Sequence, residues 1–141
     1  MLIVIIEARD RTQGLPLLLA QLTAGAVDGL VRQVLIVADL ATPMIADLCE
    51  ESGADAHPTL QAAVSAARAD ILLLLPADFR FRDGWIAALD GQAPPARVVG
   101  LGEGGLIGPR PRGLLVERRF LQQGVDHAQR LRRRWGLRRI G

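Results

Sequence analysis

Asp78 is where this chain could do chemistry. It follows the unbroken apolar run Ile71 to Leu75 and Pro76, and Arg80, Arg82 and Asp83 come directly after it. A carboxylate is a hard oxygen donor of the kind Mg²⁺ and Mn²⁺ accept, and neighbouring guanidinium groups suit phosphate oxygens. The same residues also make an ordinary polar turn, so position alone leaves a metal or phosphate site and a solvated loop both open. Asp39 stands in the same relation to Val34 to Val37, and Glu7 and Asp10 follow Leu2 to Ile6. If the runs Val34 to Val37 and Ile71 to Leu75 lie close in one sheet, Asp39 and Asp78 point into one crevice that a nucleotide with its cation could bridge. The plainer readings are a helix-start cap near Thr42 for Asp39 and a solvated loop from Glu7 to Gln13.

Other chemistries find less support. Gly100-Leu101-Gly102-Glu103-Gly104-Gly105 matches G-x-G-x-x-G after an apolar run, but a helix must follow, and Gly108, Pro109, Pro111 and Gly113 prevent one. His57 and His127 are isolated and Cys49 is the sole cysteine, so zinc spacing is absent. Ser52 and Ser65 fall in predicted helices without the glycines of a nucleophile elbow, which argues against a serine hydrolase.

The elements that must position these acids can be read from periodicity. Apolar runs of strand length without polar alternation are the mark of strands covered on both faces, as in a parallel sheet. Pro76 cannot donate to a sheet ladder, so the chain leaves the sheet there and delivers Asp78 beyond the strand's C-terminal end, the edge where open α/β sheets bind ligands. Leu15, Leu18, Leu19 and Leu22 recur at helical spacing, with Pro16 in the first turn and Gly25 as the expected stop. Thr42 with Pro43 opens a second helix ending at Gly53, and Thr59 a third with Leu60, Ala63, Val64 and Ala67 on its apolar side. Ala54 to Ala56 reads as a short strand, Trp85 to Leu89 as a short helix, Val98–Val99 and Leu114 to Val116 as further strands, and Glu117 to Gln122 and Asp126 to Arg134 as short helices. Strand and helix in alternation predict right-handed crossovers and an α/β fold, a mostly parallel open sheet with helices on both faces.

Composition sets the outer bounds. A chain of 141 residues suits one domain with one core. Aromatics are 4% and tyrosine is absent, so the stacking platform of a single-strand nucleic-acid binder is missing and no nucleic-acid partner is expected. All 17 basic residues are arginine, and they are unevenly spread: residues 1–96 carry 6 Arg against 12 acids, and residues 97–141 carry 11 Arg against 3 acids. The basic C-terminal part, with Arg130, Arg132, Arg133, Arg134, Arg138 and Arg139 around Trp135, could meet a diphosphate or an anionic membrane surface, or be a solvated helix. A lone cysteine, the lack of a basic leader before Glu7 and apolar runs too short to cross a bilayer lead us to expect a soluble, cytoplasmic protein, at most peripheral to the membrane.

In their order along the chain, these motifs resemble the family 2 glycosyltransferases. L-I-V-I-I-E-A-R-D-R-T-Q-G-L-P-L-L-L-A-Q-L resembles that family's opening strand and its Gly-Leu-Pro before a leucine helix. V-L-I-V-A-D resembles its second strand ending in paired Asp, and A-A-R-A-D-I-L-L-L-L-P-A-D-F-R-F-R-D-G-W resembles the strand leading into the D-x-D motif and the downstream Gly-Trp. The likeness covers Met1 to Leu89, with a weaker echo in G-L-L-V-E-R-R-F-L-Q-Q-G-V and from Asp126 to Leu131. It implies a GT-A (nucleotide-diphospho-sugar transferase) fold, with residues 1–96 as nucleotide-binding half and residues 97–141 as a reduced acceptor half. It also implies a nucleotide-diphospho-sugar donor, an acceptor of unknown kind, and a divalent cation, Mn²⁺ or Mg²⁺. By position, Asp39 matches the acid that contacts base and ribose, Asp78 the cation-binding acid of D-x-D, and Asp126 the acid where a carboxylate serves as general base. Asp10 stands in the nucleotide-side loop where Asn is usual. Pro76 replaces the first D-x-D aspartate, and Glu7, Arg11 and Val125 also depart from the family pattern. The rival reading keeps the fold as a catalytically inactive binding or assembly domain. Nucleotidyl transfer would need a glycine-rich loop after the first strand, and Glu7 to Gln13 does not supply one.

Overall fold

The computed structural model describes residues 1–9, 11–100, 112–121 and 138–140. These residues form strands β1 (Leu2–Arg9), β2 (Val31–Ala38), β3 (Asp55–His57), β4 (Ile71–Pro76), β5 (Ala96–Val99), β6 (Arg112–Glu117) and β7 (Arg138–Ile140). Between them lie helices α1 (Leu15–Val27), α2 (Pro43–Ser52), α3 (Leu60–Ala66), α4 (Trp85–Leu89) and α5 (Arg118–Leu121). The strands make one sheet in the order β3-β2-β1-β4-β6-β5-β7. β1 to β4 pair in parallel, β6 runs against both β4 and β5, and β7 lies parallel to β5. The expected α/β architecture, a mostly parallel open sheet with helices on both faces, is therefore present.

Alternation along the strands explains why the apolar runs are continuous. Successive side chains point to opposite faces, and here each face has its own core. Val4, Ile6 and Ala8 join Leu73, Leu75 and Ala77 under α1, α2 and α4. Ile3 and Ile5 join Leu35, Leu72 and Leu74 under α3 and α5. Leu72 to Leu75 are each 0% exposed, so truncating any one to alanine would cost about 2–5 kcal/mol. No polar residue could sit in either column, which is why the run reads as it does.

Three local expectations are corrected. Glu7 lies within β1, not in a loop, because the ladder to both neighbours continues through it. Gly25 does not stop α1, which runs on to Val27; a Cβ at Gly25 would come within 2.5 Å of Trp85 Cη2 and 2.9 Å of Val31 Cγ2, so the missing side chain serves close packing. Arg138 and Arg139, read with the Arg cluster around Trp135, are the exposed residues of edge strand β7, which is anchored by buried Ile140 opposite Val98. The helix expected over Asp126 to Arg134 lies outside the described residues. Among the described residues no helix is long and apolar enough to cross a membrane.

Candidate functional site

The C-terminal ends of β2, β1 and β4 are in register. Glu7 pairs with Val37 on one side and with Pro76 on the other, so the three residues form a single row across the sheet. Asp39 follows Val37 by two positions and Asp78 follows Pro76 by two. The structure thus brings both predicted acids to one edge, with β1 and the partly buried Glu7 between them. The second and fourth strands flank β1 and are not neighbours, so their ends lie roughly 10 Å apart, two interstrand spacings. That width suits an extended ligand reaching across β1 better than one small cation held by both strand ends.

Each acid is placed by a turn. Beyond β4, Phe79 N–H donates to Pro76 carbonyl at 3.1 Å, closing a turn in which Ala77 is 3% exposed and Phe79 0%. Between these two anchors Asp78 is exposed, and among the described residues nothing donates to its carboxylate. Asp39 is exposed as well, but its backbone and side chain are engaged. Its N–H donates to Arg9 carbonyl at 2.9 Å, its carbonyl accepts from Thr42 N–H at 3.0 Å, and its Oδ1 accepts from Ala41 N–H at 3.0 Å. The expected helix start at Thr42 is correct in place, yet the Thr42 side chain makes no capping bond. The Asp39 side chain supplies the turn instead, an Asx-type bond that leads the chain into α2.

Two arginines stand beside these acids. Arg9 is an exposed non-glycine residue at φ 54°, the left-handed region, where the chain turns out of β1. Arg80 reaches back to the start of α1: its Nη1 donates to Phe79 carbonyl at 2.6 Å, and its guanidinium lies so close to Gly14 that a Cβ there would collide with it. The first turn of α1 carries no acidic residue. The positive end of the helix dipole and the Arg80 charge therefore meet at one spot, an arrangement that favours an anion. Arg80 was legible as a phosphate candidate from its distance to Asp78, but its approach to Gly14 joins residues far apart in sequence. Glu7 was hidden by its polar neighbours, which read as loop.

The segment carrying Asp78 is clamped from below. Gln21 bonds both peptide groups of Phe81, the Phe79 and Phe81 rings meet edge-on at 4.9 Å, and Phe81 stacks on Trp85 at 3.9 Å. Gly100, at the end of β5, touches Phe79 and the Arg80 carbonyl so closely that no Cβ would fit.

Asp10, expected on the nucleotide side, and Asp126, expected as the base, lie outside the described residues. Among the described residues no three of His, Cys, Asp and Glu gather in a group able to hold a metal. Asp78 still fits a hard cation as a single carboxylate ligand, being exposed and unbonded, with phosphate and water oxygens left to complete the coordination. Away from this edge, burial and then the Asp55 carboxylate push the Cys49 thiol above its ordinary pKa.

No family model matches the chain, and no curated protein sequence matches it. Solved structures do. Mannosyl-3-phosphoglycerate synthase from Rubrobacter xylanophilus superposes with a TM-score of 0.53 at 18% identity, over 70% of this chain and 39% of that one. A 4-diphosphocytidyl-2C-methyl-D-erythritol synthase superposes with a TM-score of 0.62 at 15% identity, over 98% of this chain and 85% of that one. The chain thus spans about two fifths of the first protein's length and most of the second's. Both have the GT-A-like, nucleotide-diphospho-sugar transferase fold, and that is the fold of this chain.

Proposed function

We propose that the chain is a divergent glycosyltransferase that moves a sugar from a nucleotide-diphosphate donor to an acceptor. The observation that supports this reading is the register of Val37, Glu7 and Pro76, which brings the chain at Asp39 and at Asp78 to the same edge of the sheet, either side of β1. Asp39 would face the base and ribose. Arg80 and the start of α1 would meet the diphosphate, and Asp78 would hold Mg²⁺ or Mn²⁺ against it. Bound there, the cation would offset the charge that builds on the leaving diphosphate. In an inverting transfer a carboxylate must also take the acceptor hydroxyl's proton, a role for which the family likeness nominates Asp126. Asp10 would lie in the loop on the nucleotide side. The Arg-rich C-terminal part would give the protein a peripheral hold on an anionic membrane, where a lipid-borne acceptor could be met.

Isothermal titration with uridine-, guanosine-, cytidine- and thymidine-diphosphate sugars, with and without Mn²⁺, tests the reading. Binding of one donor should depend on the metal and be lost in Asp78→Ala. Absence of binding across all four sinks it. The alternative, a catalytically inactive binding or assembly domain, is favoured by Pro76 at the first D-x-D position and by the lack of a three-ligand group among the described residues. It expects nucleotide binding, if any, to be indifferent to Mn²⁺ and to Asp78→Ala.

A further inference from the structure

We infer that His57 receives the nucleobase, its imidazole stacked on the base, so that a bound nucleoside diphosphate runs along the strand ends with its diphosphate at β4 and its base at β3. This rests on the proposed function and adds to it a direction of binding and a residue that grips the base.

The row of paired residues does not end at β2. Val37, opposite Glu7 on one side, is opposite His57 on the other, so His57, Val37, Glu7 and Pro76 make one row across four strands. Paired residues on parallel strands share a face, and Val37 belongs to the core under α3, so His57 lies on that face too. The Asp39 turn leaves β2, which stands next to β3 and two strands from β4. With Arg80 and Asp78 on the diphosphate and Asp39 on the ribose, the base continues away from β4 and meets β3. From β4 to β3 is three interstrand spacings, about 14 Å, which is the reach of an extended nucleoside diphosphate.

The ring is suited to the task. His57 is half-buried, yet among the described residues its side chain makes no hydrogen bond, ion pair or ring contact. Pro58 follows it and keeps its backbone extended, a stiff mount for the imidazole. Among the described residues no other ring competes for the base. Phe79 and Phe81 are buried, Trp85 is stacked on Phe81, and Phe120 follows β6, which ends beside Ile71 at the opposite edge. A histidine ring takes an unstacked base on its face as the larger aromatics do.

The full chain is titrated in Mn²⁺ with uridine, guanosine, cytidine and thymidine diphosphates and with inorganic pyrophosphate, which has the charge and no base. The tightest nucleoside diphosphate should lose about tenfold in affinity in His57→Ala and keep most of it in His57→Phe, where a stacking face remains. Pyrophosphate should bind both variants as it binds the wild type, and circular dichroism should show each variant folded. The His57 ring-proton resonance, assigned by its loss in His57→Ala, should move upfield with the nucleotide and stay in place with pyrophosphate. Nucleotide affinity unchanged in His57→Ala, a loss as large in His57→Phe, or an equal loss for pyrophosphate would each overturn the inference and leave the transfer reading standing. If the wild type binds none of the four nucleotides, the transfer reading falls and this inference with it.

Discussion

Gln21 and Phe81, 60 positions apart in the sequence, exchange two hydrogen bonds: Phe81 N–H donates to Gln21 Oε1 at 2.9 Å, and Gln21 Nε2 donates to Phe81 carbonyl at 3.1 Å. The side-chain amide acts as a rung of sheet where no strand is available and fastens the Asp78-bearing segment to α1. The proposed cation ligand thus owes its position to a helix residue outside the crevice.

Gln21→Ala removes both bonds and leaves a part-buried peptide unsatisfied, so a loss of about 2 kcal/mol is expected in urea unfolding. Amide exchange at Phe81 should quicken, and metal-dependent donor binding should weaken although Asp78 is untouched. Gln21→Glu keeps the acceptor for Phe81 N–H but not the donor, and should fall between. Wild-type stability in Gln21→Ala would show that the clamp contributes nothing.

Gly25→Ala sets two effects against each other. Helix propensity favours alanine by about 1 kcal/mol, but overpacking costs about 1–3 kcal/mol where neighbours cannot move. The new Cβ would stand 2.5 Å from the Trp85 ring, which the stack on Phe81 holds in place, and 2.9 Å from Val31 in the sheet. Overpacking should win, giving net destabilisation in thermal unfolding, and Trp85→Phe in the same chain should recover part of the loss. A more stable Gly25→Ala would refute the close-packing account.

The same residues show what a sequence can and cannot disclose. β4 and α4 were legible almost to the residue, because Leu72 to Leu75 have no polar alternation and Pro76 and Gly84 punctuate the chain. The edge carrying Asp39 and Asp78 was legible for the same reason. Strand order was not: β1 lies between β2 and β4 through pairings that close long loops, and nothing local in Leu2 to Ile6 specifies its partners. Gly25 misled because a glycine needed for close approach looks like one that ends a helix. β7 escaped because two exposed arginines on an edge strand carry no apolar alternation, and only Ile140 reaches the core.

Cys49 offers a check remote from the site. Burial, and then the Asp55 carboxylate, raise its pKa above the ordinary thiol value, so the neutral form is favoured in the fold. Alkylation by iodoacetamide should be slow at pH 7 and climb with pH, reaching half its maximal rate above the value of a free thiol. Asp55→Asn removes the second cause only, and should shift that midpoint down slightly while leaving it raised. A midpoint below the free-thiol value would contradict both causes.

Asp39 has two jobs that two substitutions separate. Its Oδ1 accepts from Ala41 N–H at 3.0 Å and so helps lead the chain into α2, while in the proposed function its carboxylate faces the nucleoside. Asp39→Asn would keep the turn, since an asparagine side-chain oxygen accepts the same bond, but would lose the charge. That variant is therefore expected to unfold within about 0.5 kcal/mol of wild type, whereas Asp39→Ala loses about 1 kcal/mol, the usual worth of such a bond. Both should weaken donor binding by titration calorimetry, by a similar factor, because a ribose hydroxyl pair that donates to a carboxylate finds no equivalent acceptor in either variant. If Asp39→Asn binds donor as wild type does while Asp39→Ala does not, the residue matters only through the turn, and the nucleoside must be held elsewhere on the edge.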